Sequence, residues 1–336
     1  MKTVRWGILG CARIAERALI PAFRAAKRAE LRGIAARDAA RAQAWAAKHA
    51  IPRAYPDYAA LVTDPEIDAV YIPLPNHLHA EWTIRAARAG KHILCEKPLA
   101  LDEREAARMF RAAGKAGVLL LEAFMYRFHP QFELGLRVLQ KGEIGDIRTV
   151  RSTFTFRIAS GAEDYRWTAG MGGGSLYDLG GYPVSAARTA FGAEPLSVYA
   201  AARFSAPRGI DLAAAVLLEF PKNRRALFDC AFDTSFQSAF EAAGPEGRLT
   251  LPRAFSAKNF EVAVEVRTGD DLRTVLIPPA NAYVRMIEHF QDGILRGRPL
   301  RYGEADARGN ARVLTAALES ARTGRPVALK CRFGLD

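Results

Sequence analysis

The sequence predicts two domains of different class. An α/β domain with a parallel sheet occupies residues 1–122, and an α+β domain with a large, open, mainly antiparallel sheet occupies 123–336. Three observations predict this. The 336 residues exceed the ~100–200 of one ordinary domain. In the first third, apolar runs alternate with alanine-rich helical patterns, the mark of βαβ units. After about residue 123 period-two alternation takes over, as expected of strands with one polar face.

Five apolar runs supply the strands of the first domain: Val4–Leu9, Leu31–Ala36, Ala69–Pro73, His92–Cys95 and Val118–Leu121. Between them, Ala39–His49, Glu81–Ala89 and Asp102–Lys115 combine good helix formers with apolar residues at helical intervals. Pro21 interrupts the first helical pattern and is expected to open a new first turn. In the second domain, Thr149–Arg157 puts Val150, Phe154 and Phe156 on one face and Thr149, Arg151, Thr153, Thr155 and Arg157 on the other, an antiparallel pattern. Similar runs follow at Val198–Phe204, Ala213–Phe220, Ala226–Phe232 and Glu261–Val266. Helical patterns return at Val284–Arg296 and Glu304–Arg322, and the last helix is expected to pack back on the first domain.

With 50% hydrophobic and 25% charged residues, the chain has the composition of a globular protein, not a disordered one. Residues 1–60 hold eight of the twelve net positive charges. They form solvated helix faces or a field for a small polyanion. Nucleic acid is excluded as a partner, because zinc-finger spacing, an arginine-rich tail and an RNP-type aromatic motif are all missing. No run approaches the ~20 apolar residues of a membrane span, and Arg13 cuts the apolar start too early for a signal peptide. Cys11, Cys95, Cys230 and Cys331 lie far apart and read as reduced thiols, which suits a cytoplasmic protein.

The first motif with chemistry is Val4–Ala15, where a strand ends in glycines and a helical pattern begins at once. Gly7 and Gly10 let the backbone turn and approach a pyrophosphate, with Cys11, Ala12, Arg13 and Ile14 opening the helix whose N-terminus receives it. The match to G-x-G-x-x-G is imperfect, since Leu9 and Ala12 stand where glycines are expected. The second strand ends Ala36-Arg37-Asp38. Arg37, with Arg41 four residues on, suits the 2′-phosphate of NADP(H). Asp38 suits the ribose diol of NAD(H), or else caps the next helix.

The third strand runs into Pro73-Leu74-Pro75-Asn76-His77-Leu78-His79, which places polar groups at the ligand-binding edge of a parallel sheet. His77 and His79 have no third metal ligand nearby, so no metal is expected. Glu96-Lys97-Pro98 follows the fourth strand, where a lysine can touch a hydroxyl losing its proton.

Together with Tyr126-Arg127-Phe128-His129-Pro130, Arg166-Trp167 and Gly172-Gly173-Gly174-Ser175-Leu176-Tyr177-Asp178-Leu179-Gly180-Gly181-Tyr182-Pro183, these segments resemble the Gfo/Idh/MocA oxidoreductases over nearly the whole chain. Within them, the 126–130 and 178–182 segments are most similar to the NADP-dependent D-xylose and dimeric dihydrodiol dehydrogenases. The resemblance implies a Rossmann domain, a substrate between nicotinamide and the second sheet, and dimers or tetramers formed through that sheet. It assigns Pro73, Asn76, His79, Glu96 and Lys97 to the cofactor, and Tyr126, Arg127, Phe154, Arg166, Trp167 and Asp178 to a sugar, polyol or cyclic diol. It implies a cis Lys97–Pro98 bond. Lys97, Asp178 and Tyr182 match the catalytic lysine, the substrate-orienting acid and the proton-transfer residue.

The spacing of Asp178 and Tyr182, i and i+4, turns both the same way on a helix. A free tyrosine, at a pKa of about 10, is a poor base at neutral pH, and a nearby lysine would favour its phenolate. Three residues depart from the pattern. Ala36 replaces a hydroxyl residue common in NADP-using relatives, Met125 a tryptophan of aromatic-diol relatives, and Gly181 a cysteine. The expected activity is hydride transfer between a secondary or anomeric hydroxyl and the nicotinamide. The alternative is a non-catalytic NADP(H) sensor on the same fold.

Overall fold

The structure is a computed structural model and describes residues 2–158, 164–206, 208–256 and 259–329. Cys331 lies outside the described residues. The chain divides into two compact units, Met1–Met125 with Asn281–Arg308, and Tyr126–Ala280 with Gly309–Asp336. The expected boundary at 122/123 therefore falls three residues later. Residues 281–308 belong with the first unit, while most of the last helical pattern, from 309 on, belongs with the second.

The first unit is built on six strands: β1 (Val4–Leu9), β2 (Ala29–Ala35), β3 (Arg53–Tyr55), β4 (Ala69–Ile72), β5 (His92–Cys95) and β6 (Leu120–Glu122). They run in the order β3-β2-β1-β4-β5-β6, and every pair is parallel. The order reverses between β1 and β4, so the ligand crevice of such a sheet lies beyond their carboxyl ends. Central β1 buries Val4, Trp6, Ile8 and Leu9 completely. That explains its continuous apolar run. The helices between the strands are α1 (Ile20–Ala25), α2 (Ala39–Lys48), α3 (Tyr58–Thr63), α4 (His79–Arg88) and α5 (Glu103–Ala116). Asp38, Asp57 and Asp102 cap α2, α3 and α5, each accepting backbone N–H bonds from the first turn. Pro21 does stand in the first turn of α1, and a π-helical turn, Ala15–Leu19, precedes it.

The second unit holds a nine-stranded sheet: β7 (Thr149–Thr155), β8 (Ser197–Phe204), β9 (Asp211–Phe220), β10 (Arg224–Ala231), β11 (Gln237–Ala243), β12 (Gly247–Leu251), β13 (Val262–Thr268), β14 (Asp271–Ile277) and β15 (Val327–Ala328). Their order is β14-β13-β12-β11-β7-β10-β9-β8-β15. The antiparallel reading of Thr149–Arg157 needs a correction. β7 pairs antiparallel with β11 but parallel with β10. A parallel neighbour needs a long crossover, and α7 (Gly181–Phe191) with the β8–β9 hairpin provides it. Before β7 comes α6 (Pro130–Gln140). Two helices follow the sheet's main run, α8 (Ala282–Arg296) and α9 (Glu304–Thr323), and the division between the units falls within α9.

Candidate active site

In the first unit, candidate residues gather at the carboxyl ends of β1, β2, β4 and β5. Gly7 lies inside β1, where a Cβ would come 2.5 Å from Leu61 Cδ2, so this glycine serves the packing of α3. Gly10 takes φ = 116°, a conformation that favours glycine, and its N–H donates to the Ala35 carbonyl at 2.8 Å. The chain then passes through half-buried Cys11, Ala12 and Ile14 and exposed Arg13 into the π turn. Burial pushes the Cys11 thiol up to about 11, so it stays protonated at neutral pH.

Two cations stand at the end of β2. Arg41 donates from Nη2 to the Cys11 carbonyl at 3.1 Å, bracing the glycine turn. Arg37 is exposed and makes no ion pair among the described residues. Asp38 is occupied as a cap, its Oδ1 accepting the Ala40 N–H at 2.9 Å. A free guanidinium beside an acid already used as a cap fits a 2′-phosphate better than a bare ribose diol. Sequence reasoning missed Tyr58. It is buried on α3, with its hydroxyl facing Gly10, and burial raises its pKa while the Arg37 backbone and charge lower it. The only signal in the sequence was its position just after the cap Asp57.

Beyond β4 and β5, one histidine ties two loops together. The ring nitrogens of buried His79 meet the Pro98 carbonyl at 2.9 Å and the Leu74 carbonyl at 2.8 Å. Burial pushes this histidine down to about 4 against the pull of both carbonyls. His79 is thereby committed to the backbone, not to a metal. Among the described residues no three His, Cys, Asp or Glu side chains group as metal ligands. Pro73 and Asn76 are buried in the same loop. Glu96 accepts the Tyr71 O–H at 2.7 Å in the interior. Lys97 follows, half-buried, and the Lys97–Pro98 bond is cis.

A separate cluster is assembled within the second unit. Leu176–Gly180 forms a π-helical turn that runs directly into α7. Asp178 lies in this turn and Tyr182 in the first turn of α7, 3% and 7% exposed. The i, i+4 argument presumed a continuous α-helix. The wider bonding of a π turn alters the angle between the two side chains. Arg166 donates from Nε to Asp178 Oδ2 at 2.8 Å and from Nη1 to both oxygens of Asp164 at 3.2 Å. Asp178 in turn holds the Arg166 guanidinium well above its ordinary pKa.

The glycine run explains how Arg166 arrives there. A Cβ on Gly173 would fall 2.6 Å from the Arg166 carbonyl, and the Gly174 N–H donates to that same carbonyl at 3.0 Å. Bare backbone lets the loop lie flat against the turn.

Around Tyr182 stand three aromatic rings. Phe154 meets it edge-on at 4.9 Å, Tyr126 lies at 5.7 Å and Phe255 at 5.8 Å. Phe255 is a further residue that sequence reasoning missed. Tyr126 and Arg127 are fully buried and bonded to Ser185 of α7. Those polar groups brace the helix from beneath. Trp167 is half-exposed and packs on Phe232.

Residues 4–124 match the family described as the oxidoreductase family with an NAD-binding Rossmann fold, and residues 136–250 match the GFO/IDH/MocA C-terminal domain. The chain is a Gfo/Idh/MocA oxidoreductase. This oxidoreductase is 40% identical to a D-xylose 1-dehydrogenase (NADP(+)) of Haloferax volcanii over 96% of its own length and 99% of the relative's. Among solved structures it is similar to the aldose-aldose oxidoreductase of Caulobacter crescentus, complexed with glycerol. The TM-score is 0.90 and the identity 28%, over 98% of this chain and 100% of that one. A 3-ketoreductase of Actinomadura kijaniata, solved with NADP and TDP-benzene, gives a TM-score of 0.88 at 33% identity, over 96% and 98%. As a Gfo/Idh/MocA oxidoreductase the protein is an NAD(P)-dependent enzyme acting on CH–OH groups.

Proposed function

We propose that this enzyme prefers NADP(H) to NAD(H) and oxidises a secondary or anomeric hydroxyl of a sugar, polyol or cyclic diol, with the reverse reduction on the same groups. The observation that supports this most is Asp178, buried, oriented by Arg166 and carried on the same helical segment as Tyr182. Bound nicotinamide supplies the hydride acceptor or donor. In oxidation the C–H bond breaks with its electron pair, and the hydroxyl proton passes to Tyr182 and on to solvent. Lys97 stabilises negative charge growing on the alcohol oxygen. Asp178 accepts a second substrate hydroxyl, and the rings of Phe154, Tyr126 and Phe255 shape the wall behind it.

Arg37 binds the 2′-phosphate from the end of β2, and the backbone of 10–14 receives the pyrophosphate. The enzyme works as a homodimer or homotetramer joined through the nine-stranded sheet, in a reducing compartment such as the cytoplasm. Cys11, Cys95 and Cys230 are all free thiols, and no helix among the described residues is long and apolar enough to cross a membrane. The test is a panel of aldoses, inositols and cyclic diols with NADP⁺ and NAD⁺, following reduced-nicotinamide absorbance. Turnover faster with NADP⁺ is expected, and no turnover with any of them would remove the proposal. Light scattering on the purified protein measures its assembly, and a monomer would overturn that part.

A further inference from the structure

A buried carboxylate that the proposed reaction does not use stands behind the π turn. Asp211 opens β9 and is 1% exposed. Its Oδ2 accepts the Leu176 N–H and the Ser175 hydroxyl, both at 2.7 Å. The backbone N–H groups of Ser175 and of Asp211 itself also favour its charged form. On the neighbouring strand, the Cys230 thiol lies 3.5 Å from Ser175 Oγ as a donor. The hydrogen-bond direction is thereby fixed: thiol to hydroxyl to carboxylate.

Nothing in packing alone calls for this arrangement. Burying a carboxylate is costly unless its oxygens are well supplied with donors. Burial does push the Asp211 carboxyl above the ordinary range, against the pull of those donors. What it gains is position. Leu176 starts a continuous helical segment, and a negative charge at such an N-terminus is favourable. β9 is paired on both sides, with β8 and β10, so Asp211 is held by the sheet itself. Gly174 belongs to the same device. It has φ = 108°, and a Cβ there would fall 2.1 Å from Asp211 Oδ1. The glycine is the space that the carboxylate needs.

We propose that Asp211 is a positioning residue for the reaction, fixing the start of the π turn and through it the orientation of Asp178 and Tyr182. Asp178 is three residues beyond Ser175 and its N–H donates to the Gly174 carbonyl at 3.1 Å, so a shift of this start is passed to both side chains. The inference rests on the reading above that gives those two residues to the substrate.

Asp211→Asn tests it, compared in two backgrounds with the substrate that the panel finds. In the native background kcat is expected to fall about 10–100-fold, the scale of a misplaced reacting group, with NADP⁺ affinity unchanged. In a Tyr182→Phe background the same substitution is expected to cost clearly less, because one of the two groups it positions is already gone. An equal loss in both backgrounds, or no loss in either, would overturn the proposal. Should Asp211→Asn fail to fold, Ser175→Ala removes one of the two donors to Oδ2 and leaves the carboxylate, and the same comparison is made with a smaller loss expected. If Tyr182→Phe alone keeps full kcat, the proton-transfer reading of Tyr182 fails by itself. Asp211 is then judged in an Asp178→Asn background, where full additivity rejects it.

Discussion

Each unit has a glycine-led turn that opens into a π-helical segment, and the two differ in where they keep their charges. In the first, Gly10 leads through 11–14 into Ala15–Leu19. In the second, Gly172–Gly174 lead into Leu176–Gly180. The first keeps its cations in solvent: Arg13 and Arg37 are exposed, and Arg41 spends a donor on a carbonyl. The second keeps its charges inside, with Asp178 on Arg166, and Asp211 on Ser175 and Leu176. A turn that receives a polyanion needs accessible donors and a strong field. A turn that presents reacting groups needs them immobile, because small misplacements are expensive in rate.

The largest effect expected from breaking this contrast is chemical. Tyr182→Phe should lower kcat by about 10²–10⁴ and leave NADPH binding near normal, the usual worth of a general acid–base group. Lys97→Met should do likewise. The double variant should lose much less than the product of the two losses, since groups acting as a unit are non-additive. Steady-state kinetics with cofactor affinity measured by fluorescence decides it. Two single variants with nearly full kcat and bound cofactor would sink the assignment.

The glycines sharpen the comparison on stability. Gly174→Ala adds strain at positive φ and drives a Cβ into the Asp211 carboxylate, with an expected cost of about 3–5 kcal/mol. At Gly10 the nearest atom is the far end of Leu74, 3.0 Å from an added Cβ. Gly10→Ala should therefore cost only the strain, about 1–3 kcal/mol, and weaken cofactor binding besides. Urea unfolding of both variants is the measurement. Equal losses would mean that the second turn is no more tightly built than the first.

The pH dependence of stability separates the halves by sign. Burial holds His79 at about 4 in the folded state, whereas an unfolded histidine titrates near ~6.5. Its contribution is complete above that value and is lost as pH falls toward 4, by about 2 kcal/mol at pH 5. Asp211 acts in the opposite sense. Its folded-state carboxyl is raised by burial, so its contribution declines as pH rises out of the carboxylate range. His79→Asn should flatten the stability profile between pH 7 and 5, as read by urea unfolding. An unflattened profile would assign that slope to other groups.

Much of this contrast was written in the sequence. The strands β1 and β5 coincide with their apolar runs, because buried parallel strands carry long uninterrupted signals. Strand β3 is three residues long and β14 is exposed along most of its length, so neither carries a pattern. Helix α7 buries nine of its residues and has no polar face to set a period. The parallel pairing of β7 with β10 was invisible, since alternation reports faces and not partners. At the site, the motif glycines and charged residues were legible as types. Their partners were not: Gly7 on Leu61, Asp178 on Arg166 and Asp211 on Ser175 are contacts between distant residues.

The smallest expected effect concerns the exposed cations of the first turn. Arg37 stands at the end of β2 with no ion pair among the described residues, while Asp38 beside it is used as a cap. On the proposed reading, Arg37→Asp removes a charge-assisted contact to the 2′-phosphate and adds repulsion in its place. Such contacts are worth about 1.5–3 kcal/mol, so the ratio of kcat/KM for NADP⁺ over NAD⁺ should fall roughly tenfold or more. Much of that loss should appear in KM, because an exposed contact far from the reacting carbon stabilises ground and transition states alike. The loss should also shrink as salt rises, which no loss at the buried second turn should do. An unchanged ratio would move cofactor choice to Arg13 or Arg41. A ratio that falls through kcat alone would mean that the 2′-phosphate contact is made only in the transition state, and the division between a binding turn and a reacting turn would no longer hold.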